Sequence, residues 1–272
     1  MAAPTILVSN DDGIEAPGIR ALREELASIG EVVVVAPDRE MSAASHSLTL
    51  QVPLRAKRIE ENRIAVEGTP TDCVLLAIKN LLPEPPDLIV SGINRGANIG
   101  NDVTYSGTVA AAMEGTLLGV PSIAVSLERP SAGAYDYGPA ARVARAIASL
   151  VLERGLPEWT LLNVNVPSRP EKEIAGTALT RLGKQVYEDL IVEKTDPRGR
   201  SYYWIGGQEE TWSPQKGTDY AALDAGLVSI TPIELDLTDY RTMEGVRCWP
   251  LERITPWAGG GDPPDPDEER SR

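Results

Sequence analysis

Four consecutive valines, Val32 to Val35, stand between Glu31 and Ala36-Pro37. A β-branched run without polar alternation is a strand buried on both faces, the habit of parallel sheets sandwiched between helices. The residues upstream agree with this. Thr5-Ile6-Leu7-Val8-Ser9 is a second short β-branched run. From Pro17 to Ile29 the apolar residues Ile19, Leu22, Leu26 and Ile29 recur at spacings of three and four, the period of an amphipathic helix. Strand, helix and strand at this spacing form a βαβ unit.

The pattern repeats along the chain. Thr71 to Leu82 reads as a helix entered after Gly68-Thr69-Pro70, and Asp87 to Ser91 as a strand. An Ala-rich helix over Thr108 to Leu118 precedes a strand over Pro121 to Leu127. A helix over Pro139 to Glu153 then leads to a strand over Leu161 to Val166. Four helical crossovers imply an α/β fold, Rossmann-like, with a mostly parallel, doubly wound sheet. Leu48 to Val66 reads instead as an antiparallel pair.

From Thr177 the character changes. The turn signal Asp196-Pro197-Arg198-Gly199 separates Tyr187–Lys194 from Arg200–Ile205, so a C-terminal β-hairpin arm is expected over residues 183–216. Its aromatics Tyr202, Tyr203 and Trp204 need cover, from a neighbouring subunit or from the hairpin's own domain. A short helix over Asp219 to Gly226 and a strand over Leu227 to Thr231 follow. Residues 259–272, Gly-rich and then Pro- and acid-rich, have nothing to bury and read as a disordered acidic tail. Residues 1–258 are left as a single domain.

Charge narrows the function. The formal net charge is −14, and removing the tail's five acids and two bases leaves −11 on the rest. A chain this acidic is a poor partner for a nucleic acid duplex, which is held by basic patches. No stretch reaches the roughly 18 apolar residues of a membrane span. Met1-Ala2-Ala3-Pro4 lacks the basic start and apolar block of a signal peptide. Cys73 and Cys248 lie far apart without metal-binding spacing, and Cys73 falls in an apolar helical run, as a core residue does. A cytoplasmic protein is expected. An acidic protein that handles phosphate must invert its charge locally, and a bound cation is the usual means.

In open α/β sheets ligands bind beyond the carboxyl ends of the parallel strands. Three polar loops follow such ends: Ser9-Asn10-Asp11-Asp12-Gly13; Pro37 to Ser47; and Ser91 to Asp102, continued by Tyr105-Ser106-Gly107-Thr108. Adjacent carboxylates at a buried strand end repel unless a positive charge lies between them. A hard divalent ion, Mg²⁺ or Mn²⁺, takes oxygen ligands from carboxylates, amides and hydroxyls, and Asp11, Asp12, Ser42 and Asn94 supply that set. Taken alone, Asn-Asp-Asp-Gly is also an ordinary tight turn; the convergence of three polar loops favours the metal. Gly92 to Gly107 has the composition of an anion cradle, with Ser106 and Thr108 at a helix start that suits phosphate oxygens. Capping alone would also explain a hydroxyl there. Neither G-x-G-x-x-G nor the Walker pattern is present.

These segments together resemble the SurE (survival protein E) family. The resemblance rests on Ser9-Asn10-Asp11-Asp12-Gly13 with Ala16-Pro17-Gly18-Ile19, Ala36-Pro37-Asp38-Arg39, Gly68-Thr69-Pro70-Thr71-Asp72-Cys73, Ser91-Gly92-Ile93-Asn94 through Tyr105-Ser106-Gly107-Thr108, and Val228-Ser229-Ile230-Thr231-Pro232. It implies a metal-dependent phosphomonoester hydrolase, a 5′-nucleotidase acting on nucleoside 5′-monophosphates, with 3′-nucleotides and short polyphosphate as lesser substrates. It implies one Mg²⁺ or Mn²⁺ per subunit on Asp11, Asp12, Ser42 and Asn94, catalysis by Asp11 and Asp12, and phosphate contacts from Asn98, Ser106, Gly107 and Thr108. It also implies a homodimer or homotetramer formed by exchange of extended arms.

Two departures stand out. Many members read Ser-Gly where this chain has Ser42-Ala43, and some carry a His where it has Ile233-Glu234. Asp11 could orient or deprotonate the attacking water, or attack phosphorus itself. His46, the single histidine, lies in the loop after Ser42 as a substrate-edge residue or a general acid. A phospho-receiver module shares the acidic pair, but it needs an Asp at a later strand end and a Lys after another. Here Asn94 and Glu128-Arg129 occupy those places.

Overall fold

The computed structural model describes residues 3–186, 191–205, 211–212, 215–251 and 254. Its elements are β1 (Thr5–Ser9), α1 (Pro17–Leu26), β2 (Glu31–Pro37), β3 (Ala56–Glu60), β4 (Arg63–Val66), α2 (Pro70–Leu76), β5 (Leu88–Arg95), α3 (Gly107–Leu117), β6 (Ser122–Leu127), α4 (Gly138–Arg154), β7 (Thr160–Val166), β8 (Thr177–Leu179), β9 (Gln185–Val186), β10 (Ile191–Thr195), β11 (Ser201–Ile205), β12 (Thr211–Trp212), α5 (Asp219–Asp224), β13 (Val228–Glu234) and α6 (Tyr240–Val246). The chain divides into a compact unit, Met1–Leu235, and a second, Asp236–Arg272. In the second, Asp239 caps α6 by accepting from the N–H groups of Arg241 and Thr242. The tail expected over 259–272 lies outside the described residues, as do parts of the arm.

Nine described strands form the main sheet in the order β3-β4-β2-β1-β5-β6-β7-β13-β8. From β4 to β7 neighbours run parallel; β3 and β13 pair antiparallel with β4 and β7. Four βαβ crossovers thread it, as the sequence led one to expect. The valine run behaves as a strand covered on both faces. Val32 and Val34 pack with Ile19, Leu22 and Leu26 of α1, while Val33 and Val35 pack with Cys73 and Val74 of α2 and Ala111 of α3. α4 adds Ala144, Ile147 and Ala148 to the α1 side. α3 lies close to the sheet because Gly115 carries no side chain: a Cβ there would sit 2.3 Å from Ile89 Cδ1.

The structure adjusts several sequence boundaries. Of Leu48–Val66, only Ala56 onward forms the antiparallel pair, because Thr49 gives its N–H and hydroxyl to Asp72 at the start of α2 instead of to a strand. β4 also joins the main sheet, parallel to β2, through the buried Ile64, Ala65 and Val66. β5 does not stop at Ser91. Its register with β6 shifts between Ser91 and Asn94 and then resumes as Asn94↔Ser126 and Arg95↔Leu127, so Gly92 marks a bulge and not a strand end. The expected hairpin is present as β10 and β11, paired from Ile191↔Ile205 to Thr195↔Ser201. Asp196 closes its turn by accepting from the N–H groups of Arg198 and Arg200.

Candidate active site at the switch point of the sheet

β1 is followed by a crossover to β2 on one side, and its other neighbour, β5, leads away through β6 and β7. Strand order therefore reverses between β1 and β5, where a crevice opens at the carboxyl ends. Asp11 and Asp12 leave the end of β1, and Asn94 and Arg95 close β5. The turn after β1 is held by Asn10, whose amide donates to the Gly13 carbonyl at 3.0 Å. Gly13, at φ +96°, holds a backbone conformation that a side chain would strain, and a Cβ there would also crowd the Arg39 backbone at 3.0 Å.

Asp11 is 5% exposed. Thr108, in the first turn of α3, donates its hydroxyl to Asp11 Oδ1. Gly107 lets α3 come this near: a Cβ there would lie 2.8 Å from Asp11 Cβ. Burial pushes the Asp11 carboxyl up to about 6; the Thr108 hydrogen bond opposes this and the Asp12 charge adds to it. Asp12 is raised too, again chiefly by burial, with the Arg95 N–H and charge opposing and Glu40 adding. That N–H reaches Asp12 Oδ2 at 3.1 Å. Among the described residues no cationic side chain forms an ion pair with either aspartate. Two neighbouring carboxylates thus sit at the crevice with no ion-pair partner among the described residues, only the nearby Arg95 charge acting on Asp12.

The loop after β2 joins the same cluster. The Met41 N–H donates to the Asp11 carbonyl at 2.7 Å. Glu40 accepts from the Ser42 hydroxyl at 2.8 Å and from Arg95 Nη2 at 3.3 Å. Asn94 donates its amide to the Gly96 carbonyl at 2.9 Å, so its Oδ1 is the atom it could offer to a cation. The loops that carry Asp11, Asp12, Ser42 and Asn94 are thus tied together at one rim of the sheet, and these four side chains are of the oxygen-donor types that a hard divalent ion takes. No group of three or more His, Cys, Asp or Glu side chains forms a metal cluster among the described residues; the candidate set has two carboxylates, with an amide and a hydroxyl completing it.

The candidate phosphate residues divide. Ser106 caps α3, accepting from the Val109 N–H at 3.1 Å, and the two residues after it, Gly107 and Thr108, lie against Asp11. Asn98 is held in a separate buried network at the ends of β6 and β7. Its amide donates to Ser126 Oγ at 2.8 Å, its N–H to Asn165 Oδ1 at 2.8 Å, and its carbonyl accepts from Asn163 and Asn165. His46 pairs with Glu114 Oε2 at 2.8 Å, six positions and roughly 9 Å along α3 from Thr108. Cys73 is fully buried in the core, and burial raises its thiol well above the ordinary value.

Three neighbours of the aspartates carried no role in the sequence reading: Glu40, Arg95 and Tyr137. Tyr137 opens α4, and burial pushes its hydroxyl up to about 12, with the Asp12 charge adding. Position after a strand end was the available signal for Glu40 and Arg95. Tyr137 carried none, because it precedes a helix that starts 126 residues after Asp12 and only the fold joins them.

Comparison with known proteins places this arrangement in a family. The family described as Survival protein SurE matches residues 6–189. The chain is 54% identical over 246 residues to "5'-nucleotidase SurE" of Geotalea uraniireducens, covering 90% of this chain and 99% of that protein. It is also 54% identical over 254 residues to the protein of the same name from Geobacter sulfurreducens, covering 93% and 97%. A solved structure, "Crystal Structure of Sure Protein from Aquifex aeolicus", superposes with a TM-score of 0.81 at 47% identity, over 90% of this chain and 98% of that one. With its fold and most of its length in common with these proteins, the chain belongs to the SurE family.

Proposed function

We propose that this chain is a metal-dependent phosphomonoester hydrolase, a 5′-nucleotidase that releases phosphate from nucleoside 5′-monophosphates, with 3′-nucleotides and short polyphosphate as lesser substrates. The observation that carries this reading is the aspartate pair at the switch point, facing the start of α3 with no cationic side chain paired to it among the described residues. The relatives' name, 5'-nucleotidase SurE, supports it.

In this reading Asp11, Asp12, Ser42 and Asn94 hold one Mg²⁺ or Mn²⁺. When bound, the ion neutralises phosphate charge and polarises the phosphorus centre. The chain's own groups do the rest. Asp12, fixed by the Arg95 N–H, serves mainly as a ligand. Asp11, fixed by Thr108, orients the attacking water and takes its proton. Ser106, Gly107 and Thr108 bring the start of α3 to the phosphate oxygens, where a helix N-terminus favours negative charge. Asn98, in the same loop between β5 and α3, adds a contact through the amide hydrogen that it does not give to Ser126.

The β10–β11 hairpin, with Tyr203 61% and Trp204 60% exposed, serves as the exchanged arm of a homodimer or homotetramer. The enzyme works in the cytoplasm on soluble nucleotides.

The test is phosphate release from AMP, GMP and dCMP with Mg²⁺, with Mn²⁺ and with chelator, comparing the wild type with Asp11→Asn. Release that needs the ion and disappears in Asp11→Asn is expected. A wild type silent under every metal overturns the reading.

A further inference from the structure

The crevice beside Asp12 has a wall that phosphate chemistry does not use. Tyr135 and Tyr137 stack, with ring centroids 5.7 Å apart and planes 13° from parallel. Both are half-buried and pack against the core shared by α1, β5 and α4. Gly18 makes the room: a Cβ there would lie 2.1 Å from the Ile93 carbonyl oxygen and 3.1 Å from Tyr137 Cε1. With Asp12, Glu40 and Arg95 the tyrosines line a cleft of about 460 Å³, within the roughly 300–1,000 Å³ of small-molecule sites. It is larger than the clefts of about 270 Å³ beside Trp159 and 300 Å³ beside Arg63. A carboxylate of the candidate metal site lies in its wall, and the aromatic pair forms another part of it.

We infer that this cleft is the nucleoside subsite, in which the base of a nucleotide stacks on the Tyr135–Tyr137 wall while its phosphate reaches the aspartates. The inference rests on the hydrolase reading above and adds to it the part of the substrate that does not react. An aromatic pair already buried on one side offers a π surface to a planar ring, and orders no flexible chain in doing so. Arg95 and Glu40, ion-paired at 3.3 Å and both exposed, stand at the rim, where they meet the ribose hydroxyls. Stacking reads the face that every base shares. The subsite therefore distinguishes a nucleotide from a bare sugar phosphate, with little choice among bases.

The experiment compares KM and kcat for AMP, GMP, CMP and ribose 5-phosphate in the wild type, Tyr135→Leu, Tyr137→Leu and Tyr137→Phe, with adenosine binding measured by calorimetry on the same proteins. Each leucine variant should raise KM for the nucleotides roughly 5- to 150-fold, the range for loss of a base stack. Turnover number and KM for ribose 5-phosphate should stay within about twofold, and Tyr137→Phe should behave as wild type. Equal shifts for nucleotides and ribose 5-phosphate, or no shift for either, overturn the inference. If no ester is hydrolysed at all, the hydrolase reading fails separately, and adenosine binding still decides the subsite: binding lost in the leucine variants and kept in Tyr137→Phe upholds it, and any other pattern overturns it. Should a leucine variant fail to fold, magnetisation transfer between adenine protons and tyrosine rings in the wild type decides; its absence at saturating adenosine overturns the inference.

Discussion

Thr108 hands its hydroxyl hydrogen to Asp11 across 97 positions of sequence. The contact joins the end of the first strand to the beginning of the third helix, and it holds a buried carboxylate in one orientation. Hydrogen bonds to charged groups contribute about 1.5–3 kcal/mol. Thr108→Val keeps the shape and removes the donor, so kcat on AMP should fall roughly 10- to 150-fold. Thr108→Ser, which restores a hydroxyl, should recover most of it. Steady-state kinetics on the three proteins check this.

Gly107 and Gly115 lie on the same helix and separate geometry from stability. Gly107→Ala places a Cβ 2.8 Å from Asp11 Cβ, and a displacement near 1 Å at a reacting group costs on the order of 10²-fold in rate. Gly115→Ala instead presses on Ile89 Cδ1 at 2.3 Å and Ser122 Oγ at 2.5 Å. It should cost roughly 1–3 kcal/mol of stability by overpacking and leave kcat nearly unchanged. Thermal melts and kinetics on both variants distinguish the two effects.

Asp11 ties stability to pH. In the metal-free protein its carboxyl sits at about 6 against 3.8 when unperturbed. A carboxyl whose pKa is raised by folding adds stability below its unfolded pKa and loses that contribution as pH rises through the folded one. Ionised Asp11 therefore costs the fold roughly 3 kcal/mol above pH 6. In chelator at pH 7.5, Asp11→Asn should melt several degrees above the wild type, and the gap should close as pH falls from 6 towards 4. A denaturation series across that range measures it.

Ser42 and Asn94 are neutral donors, and their loss should show as weaker metal use. Ser42→Ala and Asn94→Ala should each raise the Mg²⁺ or Mn²⁺ concentration for half-maximal activity about tenfold or more, with activity recovered at high metal. Metal titrations of activity read this directly.

His46 separates two roles. Its ring nitrogen is engaged by Glu114 at 2.8 Å, well along α3 from the aspartates, so it pins the loop after β2. His46→Ala should keep kcat within about tenfold of the wild type, with both limbs of the pH–rate profile retained. Loss of one limb would make His46 a general acid.

The strand and helix alternation was legible because burial imposes it locally. A parallel strand covered on both faces needs an unbroken β-branched run, and the valines satisfy that without reference to any other part of the chain. The aspartate pair was legible for a similar reason, since adjacent like charges at a strand end call for an explanation wherever the strand lies. The strand read over Asp87 to Ser91 runs on to Arg95, because a glycine that follows a finished strand and one that permits a bulge look alike in sequence. Leu48–Arg55 misled because apolar residues in a loop pinned to Asp72 imitate a strand.

By itself the sequence determined the layers, the crossovers and the kinds of atom gathered at one rim of the sheet, all of which follow from near-neighbour chemistry. Only the tertiary structure decided which of those atoms face one another. The hydroxyl of Thr108 was directed to Asp11, Glu40 to Ser42 and Arg95, Asn98 to a network of its own, and two tyrosines before α4 to the wall beside Asp12. Such pairings depend on the register of parallel strands and on how closely each helix can approach them. Glycines at 18, 107 and 115 control that approach, and their effect is felt across the fold by partners far away in sequence.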